Sequence, residues 1–180
     1  SLYKLGRVVY PYATYILDYA FCQLINEPDG RCAGGLAFKG DVVLTDMLQL
    51  KSIGHGAFLS FKGKVQLTAL YPALVDVGPV AFLSASNIDS NVALVNLDNL
   101  VSIGDSAFNS FRGTVALTGK FPKLSTLGQA VFLNASNTNS HVKLTELPET
   151  VARANNTTFG SFAGRLALTP SLYKLGRDVY

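Results

Sequence analysis

Tryptophan is absent from these 180 residues, methionine occurs once and cysteine only twice. Charged residues make up 15%, and the net excess of +3 comes from Lys and Arg scattered along the chain. There is no basic run and no alternation of aromatic with basic residues, so a nucleic-acid surface has little support. No apolar run reaches the roughly 18–20 residues of a membrane span. His55 and His141 stand at unlike positions and form no evident pair. Asp46, Asp76, Asp89, Asp98, Asp105, Glu146 and Glu149 are dispersed, without the spacing that acid–base work or calcium ligation requires. No Ser lies in a nucleophile-elbow context, and the glycines follow a structural period rather than a phosphate loop. A lone Cys pair without clustered His supplies too few metal ligands. No enzyme, cofactor or metal site is expected. The chain opens on Ser with no signal-peptide pattern, which reads as an interior fragment or a processed product.

What the chain does have is repetition. Leu50, Ile53, Gly54, Ala57 and Phe58 share one spacing with Leu74, Val77, Gly78, Ala81 and Phe82, and again with Leu100, Ile103, Gly104, Ala107 and Phe108. Leu124, Leu127, Gly128, Val131 and Phe132 make a fourth copy, and Val151, Ala154, Asn155, Thr158 and Phe159 a degenerate one. Asn in the Gly place at 155 predicts a backbone position with φ > 0. Upstream of the copies stand Val42-x-Leu44-Thr45, Val65-x-Leu67-Thr68, Val92-x-Leu94-Val95, Val115-x-Leu117-Thr118, Val142-x-Leu144-Thr145 and Leu166-x-Leu168-Thr169. Alternating short apolar residues predict strands of three or four residues with Val and Leu inward. One such strand cannot bury its own apolar face, but stacked coils cover one another, which is the physical basis of a solenoid. With 48% hydrophobic residues the chain has enough material for one continuous core.

Ser1–Tyr10 (SLYKLGRVVY) and Ser171–Tyr180 (SLYKLGRDVY) agree at nine of ten positions, 170 residues apart. This predicts a 170-residue cassette arrayed in tandem, with 1–10 a coil continuing from a preceding cassette and 171–180 beginning the next. Aromatic anchors at Tyr10, Phe58, Phe82, Phe108, Phe132, Phe159 and Tyr180 give six coils per cassette. After Phe58, Phe108 and Phe159 the next strand begins 7 residues on, through Phe61-Lys62-Gly63, Phe111-Arg112-Gly113 or Phe162-Ala163-Gly164. After Phe82 and Phe132 the gap is 10, through Ser84-Ala85-Ser86-Asn87 or Asn134-Ala135-Ser136-Asn137. Short and long coils alternate, so the unit is a pair of coils.

Residues 11–38 exceed the pattern and read as an insert. Tyr12, Tyr15, Ile16, Tyr19 and Ala20 have the i, i+3, i+4, i+7, i+8 spacing of an apolar helix stripe, and Pro11 suits its first turn. Cys22 and Cys32 flank the turn signal Glu27-Pro28-Asp29-Gly30, so a local disulfide and an oxidising compartment are expected, against the alternative of two reduced thiols. The insert either caps the coil beneath it or projects Tyr10, Tyr12, Tyr15 and Tyr19 as a contact surface for a neighbouring chain. Residues 39–180 form the repeat solenoid. On its strand face Thr45, Thr68, Thr118, Thr145 and Thr169 make a near-continuous row, for which strand propensity is a simpler account than ice binding. Ser86/Ser136, Asn87/Asn137 and Ser90/Ser140 recur two coils apart as candidate polar ladders or turn caps. Asn134, Asn155 and Asn156 match the glycosylation acceptor pattern.

The segment SIGDSAF, Ser102–Phe108, with its upstream V-x-L-T strand and L-x-x-I-G-x-x-A-F spacing, resembles the BspA-like leucine-rich repeat. The resemblance spans 42–180 and also 1–10. It implies an α/β leucine-rich-repeat solenoid with a parallel sheet of short strands on one face, of the kind found in secreted or surface proteins that adhere or bind partners. It carries no catalytic residues over. The alternating long coil and the insert depart from that family. Two functions are therefore expected. The first is an extracellular filament or surface stalk, built by tip-to-tail stacking of cassettes with lateral contacts through the insert, its partners being copies of itself. The alternative is a cell-surface adhesion or recognition ectodomain that binds a protein or matrix partner.

Overall fold

The computed structural model describes residues 13–23, 40–44, 47–144 and 157–168. Over these residues the chain is a parallel β-solenoid of two sheets. The V-x-L segments form β2 (Val42–Leu44), β4 (Val65–Leu67), β6 (Asn91–Val95), β8 (Thr114–Thr118), β10 (His141–Leu144) and β11 (Arg165–Leu168). These make a six-stranded sheet in the order β11-β10-β8-β6-β4-β2. The S-I segments form a second, five-stranded sheet in the order β1-β3-β5-β7-β9. Its strands are two residues each: β1 (Tyr15–Ile16), β3 (Ser52–Ile53), β5 (Asp76–Val77), β7 (Ser102–Ile103) and β9 (Thr126–Leu127). The implied parallel sheet is present, but with a second one beside it.

The core follows the pattern of the chain. Val65, Leu67, Leu74, Val77, Ala81 and Phe82 are fully buried, as are their counterparts in neighbouring coils. Parallel strands joined by coil-long crossovers bury side chains of like kind above one another, so aromatic rings meet. Phe21, Phe58, Phe82, Phe108, Phe132 and Phe159 form one column, with centroid spacings of 5.0, 5.0, 4.9, 5.5 and 5.5 Å and nearly parallel planes. Offset stacking of this kind adds roughly 0.5–1.5 kcal/mol per pair beyond area burial.

No helix occurs among the described residues, so the α/β class and the helical insert are both corrected. Tyr15 and Ile16, expected on a helix stripe, pair in parallel with Ser52 and Ile53. Ile16 is buried while Tyr15 and Leu17 are exposed, the alternation of a strand. Tyr19 has φ 54°, which no right-handed helix tolerates. The N–H groups of Tyr19, Phe21 and Gln23 donate to the carbonyls of His55, Ala57 and Leu59. Residues 13–23 are thus the first described coil, not part of an insert, and the anchor that stacks on Phe58 is Phe21.

Between the two sheets each coil turns through the G-x-x-A-F-x-S segment. Here alternate residues do different things. The N–H groups of Gly56, Phe58 and Ser60 reach carbonyls of the next coil, whereas those of Ala57, Leu59 and Phe61 bond three residues back. In this segment two rows are left-handed: Tyr19, Gly56, Val80, Ser106, Ala130, and Ser60, Ser84, Ser110, Asn134, Ser161. Left-handed residues at this interval stop helix propagation.

The same geometry corrects the expected φ > 0 at Gly54, Gly78, Gly104 and Gly128, because the left-handed residue lies two positions further on. These four glycines serve close approach instead. A Cβ at Gly104 would lie 2.4 Å from the backbone nitrogen of Pro79 in the preceding coil. Asn155, with the rest of 145–156, lies outside the described residues.

Candidate interaction surfaces

The long-coil corner is built from Asn and Ser. Asn87 and Asn137 accept the N–H of Asp89 and Asn139 in Asx turns, while their Nδ2 groups donate to the carbonyls of Lys62 and Arg112 one coil back. Ser90 and Ser140 are buried. Their Oγ atoms accept the N–H of Val65 and Val115, and their carbonyls accept those of Thr114 and Arg165. Each serine therefore ties a short coil on either side to its own long coil. Because a short coil turns this corner with fewer residues, the corner is recessed there. Between the projecting turns at 86–90 and 136–140 lies a hollow of about 600 Å³, which Arg112 and Thr114 help to line. Ile88 lines it too and is 65% exposed. Its walls offer amide, hydroxyl, carboxylate and guanidinium groups, which suit a hydrogen-bonding partner.

Three carboxylates serve the backbone of a neighbouring coil. Asp18 accepts the N–H of His55, Asp41 that of Lys64 and Asp105 that of Gln129, each from the following coil. Asp76 accepts a hydrogen bond from Ser102 on the outer side of the five-stranded sheet. Among the described residues no group of three or more His, Cys, Asp or Glu is placed to hold a metal ion. No described helix is long and apolar enough to cross a membrane.

The residues singled out from the sequence fall as follows. Tyr15 is exposed on β1, at the edge of the five-stranded sheet, while Tyr19 is half-buried, its ring 5.1 Å from that of His55. Tyr10 and Tyr12 lie outside the described residues. Cys22 is buried against Leu59 and is not a free thiol; Cys32 lies outside the described residues. Thr68 is exposed and Thr118 half-buried, while Thr45, Thr145 and Thr169 lie outside. Asn134 is exposed and left-handed at φ 56°; Asn155 and Asn156 lie outside.

The six-stranded sheet is not in file with the repeat. Val42 faces Val65 and Val92 faces Val115, as the repeat dictates. At the two short-to-long steps, however, Leu67 faces Val92 and Leu117 faces Val142, two residues off. Side chains alternate with period two, so this slip keeps every inward residue inward. Thr118 stands opposite Val95, and carrying the registers one residue on puts Thr68 beside Ala93. The five-stranded sheet keeps strict file, with Ser52, Asp76, Ser102 and Thr126 in line.

The sequence signalled the Asn and Ser corner but not the hollow, because depth at a corner depends on what the neighbouring coil lacks. Phe21 was also hidden, since Leu17 and Cys22 stand in its coil where other coils carry Gly54 and Leu59. No family model matches the chain, and neither curated proteins nor solved structures give a match.

Proposed function

We propose that the protein is a structural element of an extracellular filament or surface stalk, in which 170-residue cassettes follow one another tip to tail. The observation that carries this reading is the continuous column of like coils, taken with the return of a ten-residue segment, nine positions of it identical, 170 residues on. A column that buries the same residue types from coil to coil grows by adding like units along one axis. A heterologous end-to-end contact that does not close generates a fibre. The tyrosines at 10, 12, 15 and 19 recur once per cassette and serve as the lateral contact. A Cys22–Cys32 bridge pins the segment that follows, in an oxidising compartment; support comes from the state of Cys22 and from there being only one other cysteine. The likeness to BspA-like repeats in the L-x-x-I-G-x-x-A-F spacing favours a surface location.

Six coils at roughly 4.8 Å each give an axial repeat of about 29 Å. Negative-stain microscopy and fibre diffraction of native material should show that spacing. A particle that stays monomeric at high concentration, from a parent with a single cassette, would sink the proposal. The polar hollow at the long-coil corner favours a second reading, a recognition ectodomain, which predicts a soluble monomer with measurable affinity for a polar partner.

A further inference from the structure

The first described coil differs from the interior coils at one position that controls stacking. In coils two to five that position is Gly54, Gly78, Gly104 and Gly128, and at each the direction of a side chain runs into the coil before it. A Cβ there would lie 2.5 Å from the backbone nitrogen of Asp18, 2.8 Å from the carbonyl carbon of Gly54, 2.4 Å from the nitrogen of Pro79 and 2.5 Å from the nitrogen of Asp105. Real Cβ atoms essentially never come within 3.0 Å of such atoms, so the interior spacing exists only because these residues are glycine. Ile16 pairs with Ile53, which puts Leu17 in the row of Gly54. Leu17 is 71% exposed, beside Tyr15 at 55%, on a hollow of about 420 Å³ at this edge of the sheet.

We propose that Leu17 is a stacking stop: its side chain occupies the space in which the backbone of a further coil would have to lie, so the β1 edge does not accept another coil of this chain or of a second copy in the interior geometry. Exposed strand edges invite pairing with other chains, and a side chain pointed along the stacking direction removes that option. A tip-to-tail contact between cassettes then rests on side chains at this corner rather than on backbone laid against backbone. The inference stands apart from the filament reading, because a single recognition module needs the same protection of its edge.

The obstacle begins at Cβ, so the chemistry of the test is specific. Sedimentation velocity over a concentration series compares the unaltered chain with Leu17→Ala and Leu17→Gly. Leu17→Gly should associate head to tail at least tenfold more tightly than either of the others, while Leu17→Ala stays as weakly associated as the unaltered chain. If Leu17→Ala matches Leu17→Gly, or Leu17→Gly gains nothing, the proposal fails. The reverse exchange, Gly54→Leu, reads the same geometry within one molecule by hydrogen exchange. It should expose the amides of Tyr19, Phe21 and Gln23, which now donate to coil two. Continued protection of those three amides overturns the proposal.

Discussion

Short and long coils share their first two-thirds and differ at one corner. Short coils put Phe61, Phe111 and Phe162 there, and the long coils put Ala85 and Ala135 at the same distance from their anchors. All five are buried. Phe111 meets Phe82 of the preceding long coil at 5.9 Å and Phe108 of its own at 5.9 Å, both edge-on. Phe162 meets Phe132 at 5.7 Å. One ring therefore fills space in two coils, and the alanine of the long coil leaves room for it. The repeat is a pair of coils because the core alternates large with small.

The largest way to break the pairing is Phe111→Ala. A buried Phe lost from a core with little freedom to collapse costs about 3–5 kcal/mol, read as a lower denaturant midpoint at constant m. Ala85→Phe alone should cost about 1–3 kcal/mol through overpacking. The double exchange Ala85→Phe/Phe111→Ala should cost measurably less than the sum, since the two sites share one space. Strict additivity in that cycle would contradict the shared-space account. Ser140→Ala should cost about 1–3 kcal/mol, because the N–H of Val115 loses its acceptor in a buried setting. Asn137→Ala, whose bonds to Asn139 and Arg112 are exposed, should cost about 0.5–1.5 kcal/mol. Thermal melts of that last pair would rank buried against exposed ties within a single turn.

Much of this was legible in the chain because burial repeats. The V-x-L strands, the buried Leu, Ile and Phe positions and the alternation of coil lengths follow from spacing alone. Three features were not. A two-residue strand such as Ser102–Ile103 is too short to show alternation, so the second sheet left no period to detect. Apart from Gly56 and Asn134, the left-handed rows are filled by Ser, Val, Ala and Tyr, which advertise nothing; Val80 holds φ 49° although it is β-branched. Tyr12, Tyr15, Ile16 and Tyr19 happen to fit helical spacing, and only pairing with Ser52–Ile53 decides between the two periods. The polar corner was partly readable, since Asn and Ser recur there, but the double role of Ser90 and Ser140 depends on coils before and after them.

The slip in the six-stranded sheet has a consequence for recognition. Each displaced step shifts a strand by two residues, about 6.6 Å along its length, so outward side chains on that face climb like a staircase. A straight, rod-like partner lying along the stack there passes from one kind of residue to another at every landing. The five-stranded face has no landings: Ser52, Asp76, Ser102 and Thr126 stand in a single column, and a rigid rod meets one short polar group per step.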